Sequence, residues 1–155
     1  MVEVLRLYCM DCREWVYDRD SHECPINHWV VADELMIGIA DRLYAMGIVP
    51  MTAIWTATEL GEVKDYEYLL SVKVDISERI SEAVLGELPV GWRYYWNTVS
   101  PDRSELHMLA YTERWYNFGF DSVVDRVEEL IKEFESYLDT RDSEAVKALL
   151  LLTTG

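Results

Sequence analysis

The chain has 155 residues, half of them hydrophobic, with six Trp and ten Tyr, and a formal net charge of −15 at pH 7. This length and apolar content predict one compact folded unit with a substantial core. The excess of acid argues against general binding to nucleic-acid phosphates, because no positive excess exists to displace counterions. No apolar run approaches the roughly 18 residues of a membrane span, so no membrane contact is expected.

The acidic residues are spread along the whole chain instead of forming a tail. Such a distribution is typical of a surface that keeps a protein soluble. Mimicry of DNA toward a basic partner is the less favoured interpretation. The expected compartment is the cytoplasm, where clustered thiols stay reduced.

The first predicted strand covers residues 2–8 and leads into the segment CMDCREWVYDRDSHECPINH, residues 9–28. This segment holds all three cysteines and two of the three histidines. The spacing Cys9-x2-Cys12 lets two thiolates on one tight turn bind a single tetrahedral ion. Residues 14–17 then read as the return strand of a hairpin.

Cys24 and His28 are the preferred remaining ligands, and they complete the pattern C-x2-C-x11-C-x3-H. His28 is preferred because Pro25 suits the first turn of a helix; His22 is the alternative fourth ligand. Four protein ligands predict a closed, structural zinc site. Reduced thiols or a redox pair, and a disulfide with one free cysteine, are the competing interpretations, and the odd cysteine count argues against a disulfide framework.

Two ligands on a hairpin and two near a helix start resemble the arrangement of treble-clef zinc modules. The resemblance covers about residues 4–34 and depends on spacing alone. It implies a fold motif and no particular function. We therefore predict a metal-binding N-terminal module, residues 1–30, packed on a main domain of residues 31–155.

The main domain begins with a predicted helix over residues 29–46, ended by Gly47. Two strands are predicted next, over residues 48–59 and 66–76, and the second has the clearest alternation of the chain. Its apolar positions are Tyr66, Tyr68, Leu70, Val72, Val74 and Ile76. A loop at residues 61–65 separates the two strands.

The second half repeats this order of elements. Ser77 is the predicted N-cap of a helix over residues 78–88, and strands follow at residues 92–99 and 106–115. Asp121 is the predicted cap of a long helix that reaches residue 138, and a last helix covers 143–152. The apolar stripe of the long helix is Val124, Val127, Leu130, Ile131, Phe134 and Leu138.

Two helix–strand–strand units in succession, residues 32–76 and 77–115, predict an α+β fold. The simplest arrangement is a two-layer sandwich, an antiparallel sheet with helices on one face. The other face is then a ligand platform, a homodimer or protein-partner surface, or a sheet open to water. Its predicted residues are Thr56, Thr58, Ser71, Lys73, Arg93, Tyr95 and Asn97.

Three classes of function fit these features. The favoured one is a non-enzymatic interaction or regulatory protein with structural zinc. The second is a sensor that binds a small cationic ligand in an aromatic pocket, with Trp55, Glu59, Tyr94, Trp96, Tyr111 and Glu113 as its candidate residues. The third, a zinc hydrolase, requires an open coordination position with His22 and His28 both off the metal. His107 stands alone and forms no catalytic motif.

Overall fold

The computed structural model describes residues 5–24, 26, 28–60, 67–99, 101–116 and 120–154, with the side chains of residues 97, 116, 120, 121 and 154 left out. In these residues the chain forms seven strands, one 3-10 turn and four α-helices. The strands are β1 (Arg6–Cys9), β2 (Glu14–Val16), β3 (Trp29–Ala32), β4 (Pro50–Glu59), β5 (Glu67–Ile76), β6 (Trp92–Val99) and β7 (Glu105–Tyr116). The helices are α1 (Ile37–Ala45), α2 (Glu82–Leu85), α3 (Phe120–Asp139) and α4 (Ser143–Thr154).

All seven strands belong to one sheet, in the order β2-β1-β3-β4-β5-β7-β6. Every neighbouring pair is antiparallel except β3 and β4. A parallel pair needs a crossover connection, and the 3-10 turn and α1 supply it between these two strands. The prediction of a mixed α+β fold with a largely antiparallel sheet is confirmed.

The predicted helix over residues 29–46 is wrong in its first part. Trp29–Ala32 is strand β3, held between β1 and β4. Asp33 then caps the 3-10 turn, since its Oδ1 accepts a hydrogen bond of 2.9 Å from the Leu35 amide. Helix α1 begins only at Ile37. The segment is rich in aromatic and β-branched residues, which fit a strand once neighbours on both sides can pair with it.

The second predicted helix, residues 78–88, is shortened to α2. Ser77 is not its cap, because the Ser77 amide donates to the Val49 carbonyl at 2.9 Å and so extends the pairing of β5 with β4 by one residue. Ser81 caps the helix instead, with its hydroxyl accepting from the Ala83 amide at 3.3 Å. The cap lies four residues later than predicted.

The other predicted elements are present with bounds shifted by at most two residues, except the first strand. That strand was predicted over residues 2–8 and is found as β1, with residues 2–4 outside the described part of the chain. Tyr66, Ser100 and the loop at 61–65 lie outside the described residues, as does the side chain of Asp121, the predicted cap of α3. Asp142 caps α4 by accepting from the Glu144 amide at 2.9 Å. No helix in the described part of the chain is long and apolar enough to cross a membrane.

The core lies where α1 and α3 pack on the central strands. The stripe predicted for α3 is buried from Val127 to Leu138, whereas Val124 is only partly buried. Phe134 stacks on Trp92 of β6 with ring centroids 4.1 Å apart. Burying each such large apolar side chain contributes about 1.5–3 kcal/mol.

The N-terminal strands are continuous with the rest of the sheet. Tyr8 and Met10 are buried members of the same core cluster as the central strands. Tyr8 also donates a hydrogen bond of 3.2 Å to Asp41 on α1. The predicted boundary between residues 30 and 31 falls inside β3. The division into an N-terminal module and a main domain stays a prediction.

Candidate metal centre

The hairpin turn between β1 and β2 positions the first two cysteines. Its geometry is set by the Arg13 amide, which donates to the Cys9 carbonyl at 2.8 Å, and by Arg13 itself, whose φ of 57° is left-handed. The Met10 amide donates to the His28 carbonyl at 3.0 Å. The turn is thereby attached to the segment that enters β3, and Cys9 is buried while Cys12 is exposed.

Four potential ligand atoms meet beside this turn. One atom each from Cys9, Cys12, His22 and Cys24 lies within 4.8 Å of all the others. The Sγ atoms of Cys9 and Cys24 are 3.8 Å apart, far longer than the roughly 2.05 Å of a disulfide. A tetrahedral ion with Zn–S bonds of about 2.3 Å separates its sulfur ligands by about 3.8 Å. The observed spacing fits such an ion.

The surroundings of His22 indicate which of its nitrogens faces the thiols. The side chain is 7% exposed, and its Nδ1 lies 3.7 Å from a carboxylate oxygen of Glu14. Its Nε2 is buried without a hydrogen-bond partner in the described part of the chain. A buried polar atom left unpaired costs about 1–3 kcal/mol, and a metal ion at Nε2 removes this cost. A carboxylate on the second ring nitrogen is the usual means of orienting a histidine ligand.

His28, the preferred fourth ligand in the sequence analysis, lies outside this group. Its Nδ1 is 2.6 Å from the Tyr44 hydroxyl and 3.3 Å from a carboxylate oxygen of Asp11. Its amide donates to the same Asp11 oxygen at 2.9 Å. The preference assumed a helix start after Pro25, which itself lies outside the described residues, but the chain enters strand β3 at Trp29. The helix expected by analogy with treble-clef modules is therefore replaced by a strand here.

The electrostatics of the cluster favour a bound cation. The hydrogen bond to Cys24, then burial and the nearby Cys9, raise the pKa of Cys12 to about 12. The Cys12 thiol therefore resists ionisation, because a thiolate at this position is repelled by its neighbours. A metal ion reverses this preference and releases the thiol protons when it binds.

The Asp11 and Tyr44 side chains link the cluster to helix α1. Burial, then the Asp11 hydrogen bond, raise the pKa of Tyr44 above its usual value. Desolvation raises the pKa of Asp11, but hydrogen bonds from Tyr44 and His28 outweigh it and hold that pKa below its usual value. Tyr44 and Asp11 are 33 residues apart, and no sequence spacing signals their contact.

The residues predicted for an aromatic ligand pocket have other partners. Trp55 is buried in the core and Glu59 is exposed. Glu113 accepts a 2.8 Å hydrogen bond from Tyr111 and pairs with Arg126 at 2.8 and 2.9 Å. The predicted ligand-selecting anion is thus already neutralised, and the Arg126 guanidinium lowers the pKa of Glu113. The pocket stays a prediction.

Two further aromatic residues of that set pack on each other. Tyr94 and Trp96 stack with centroids 5.4 Å apart, and the Tyr94 hydroxyl donates to the Gly86 carbonyl at 2.6 Å. His107 lies beside Trp96 with ring centroids 6.1 Å apart. These contacts are those of packed side chains.

The residues predicted to share the second face of the sheet are cross-strand neighbours. Thr56 pairs with Ser71, and Lys73 and Arg93 both pair with Ala110. The side chains on this face are half-buried or exposed: Thr56, Thr58, Ser71, Lys73, Arg93 and Tyr95, with that of Asn97 outside the described set.

No protein-family model, no curated protein and no solved structure matches this chain. The class that the fold and site define is therefore a mixed α+β protein with a Cys3His group suited to hold a metal ion.

Proposed function

We propose that the chain is a zinc-binding protein in which Cys9, Cys12, His22 and Cys24 hold one Zn²⁺. The observation that carries the proposal is the mutual approach of four ligand atoms within 4.8 Å, with two sulfurs at tetrahedral spacing. Thiolates with one imidazole favour zinc over hard cations such as Mg²⁺ or Ca²⁺.

The proposed role of the ion is structural. Four protein ligands complete a tetrahedral shell and leave no position for substrate. The ion joins the β1–β2 turn to the segment before β3, so its binding free energy stabilises the folded state. The bonds from Tyr44 and His28 to Asp11 support this role, because they attach the same turn to helix α1.

The activity that we propose is non-enzymatic: the protein is an interaction or regulatory module of the cytoplasm, where thiols remain reduced. The two-layer arrangement, with the helices on one face of the sheet, belongs to this proposal. It is supported by contacts from both helices to the sheet, from Asp41 of α1 to Tyr8 and from Phe134 of α3 to Trp92. The other face is then left for a partner.

Elemental analysis of protein purified without added metal or chelator tests the metal assignment. We expect about one zinc per chain, and thiols that react with a thiol reagent only after a chelator is added. Metal-free protein with three freely reactive thiols would overturn the zinc proposal. One ion of a different metal per chain would support the four-ligand site but would overturn its assignment to zinc.

A further inference from the structure

Two cross-strand rows on β4, β5, β7 and β6 lie within the second face of the sheet. These rows follow from the register, since residues directly opposite each other project to the same side. One row is Thr52, Asp75, Met108 and Tyr95, and the next is Ile54, Lys73, Ala110 and Arg93.

Large apolar side chains occupy this face without joining the core. Ile54, Tyr95 and Met108 are each only half-buried, and none of them belongs to the core cluster or packs against it. Leu69, two residues before Ser71 on the same face of β5, is 37% exposed. Tyr95 and Met108 lie directly opposite each other and form one apolar pair, whereas Ile54 lies on the other side of β5. Grouped apolar side chains on a surface mark a site of association more often than isolated ones do.

The charges of this face differ from those of the rest of the chain. The whole protein carries −15, whereas the two rows contain Lys73 and Arg93 against Asp75 alone. Two copies that approached through most other surfaces would repel each other. At the two rows, the positive charges of Lys73 and Arg93 remove this repulsion between copies.

Asp75 has an unsatisfied oxygen at the centre of the face. The residue is 7% exposed, and its Oδ2 accepts a hydrogen bond from the Thr52 hydroxyl. Its Oδ1 is buried and has no hydrogen-bond partner in the described part of the chain. Lys73, two residues away on the same strand, has no ion-pair partner among the described residues. An unpaired carboxylate oxygen and an unpaired ammonium on one face are complementary to each other.

We propose that this face binds a second copy of the chain, sheet against sheet. A twofold axis that runs midway between the two sheets, perpendicular to β5 and level with Val74, places each Lys73 opposite Asp75 of the other copy. Packed sheets are about 10 Å apart, so a lysine side chain from one sheet and an aspartate side chain from the other together bridge the gap. Each ammonium then lies opposite the Asp75 carboxylate of the other copy.

The apolar residues of the two rows surround this pair of ionic contacts. Ile54, Met108 and Tyr95 lose their remaining exposure when the second sheet covers them, which supplies the driving force for association. The charged pairs fix the register, because a shifted alignment brings like charges together or leaves Asp75 unpaired. The second copy is then the partner of the proposed interaction module, so this contact rests on that proposed role but does not depend on the metal.

Sedimentation velocity of the full-length chain over a range of concentrations tests this inference. We expect the wild type to be a dimer, and expect Lys73→Asp to weaken dimerisation at least tenfold. The double variant Lys73→Asp with Asp75→Lys should restore the dimer, because both pairs reappear with their signs exchanged. Lys132→Asp, at an exposed position of α3, makes the same change of charge elsewhere and should leave the dimer intact.

Other results would overturn the inference. A wild type that stays monomeric at all concentrations rejects the dimer, and a dimer insensitive to Lys73→Asp rejects this face. Exposed leucines on α4, such as Leu151 at 76% exposure, offer the competing surface. A dimer that is lost in Leu151→Ser but kept in Lys73→Asp would show that the copies associate through α4 and would overturn the proposed sheet contact. Zinc content and thermal unfolding measured on each sample show separately whether the metal centre or the fold has failed.

Discussion

His22 and His28 lie six residues apart and have different surroundings, which makes them a matched pair for testing the metal centre. His22→Ala should lower zinc affinity on the order of 100-fold or more, because it removes one of four ligands. His28→Ala should keep the zinc stoichiometry, since its ring contacts Tyr44 and Asp11 instead of the thiols. Competition with a chromophoric chelator measures both affinities. The reverse ranking would assign His28 to the metal.

The choice between these histidines shows which ligands of the metal site could be predicted from the sequence. The spacing of Cys9, Cys12 and Cys24 was enough to predict three donors that the structure brings together. The fourth donor depends on the path of the chain from Cys24 into the sheet. That path is set by the pairing of β3 with β1 and β4. No local sequence pattern indicates this pairing, so the fourth donor could not be predicted from the spacing.

At the scale of elements, the ion pair between Glu113 on β7 and Arg126 on α3 joins sheet and helix. Both side chains are mostly buried and share two hydrogen bonds. Glu113→Gln should lower the free energy of unfolding at pH 7 by about 1.5–3 kcal/mol, the usual range for a hydrogen bond to a charged group. Urea unfolding measures the change.

The pH dependence of this ion pair follows from the lowered pKa of Glu113. A carboxyl group whose folded pKa lies below its unfolded value stabilises the protein fully above the unfolded value, here 4.5. The contribution is lost as pH falls through the folded pKa. The difference between wild type and Glu113→Gln should therefore shrink in acid below that value. A difference that stays constant would mean that the carboxylate charge is not what stabilises this contact.

Elements with long periodic patterns were predictable, and short ones were not. The alternation along β5 and the 3.6-residue stripe of α3 identify both elements from their letters. Strand β3 has four residues, and an apolar run of that length fits a strand or a buried helix turn equally well. Helix α2 was predicted too long because the Ser77 amide instead pairs with Val49 beyond the end of β4 and β5, and the helix starts only after Ser81. Tertiary pairing decided both cases.

At the scale of the whole molecule, the metal centre and the central strands differ in what stabilises them. The β1–β2 hairpin is short and lies at the end of the sheet, so the proposed ion contributes a large share of its stability. Strand β5 is paired on both sides over its full length, and its side chains Leu70, Val72 and Val74 are fully buried. Its stability comes from the core.

Removal of the metal should therefore loosen the two regions unequally. In hydrogen exchange after chelation, or in the Cys12→Ser variant, we expect amides of β1 and β2 to lose protection while those of β5 keep it. Equal loss in β5 would mean that the chain unfolds as one cooperative unit and that residues 1–30 are no separate module. Unchanged protection at Cys9 would reject the structural role of the ion, because a turn that stays closed without metal does not need it.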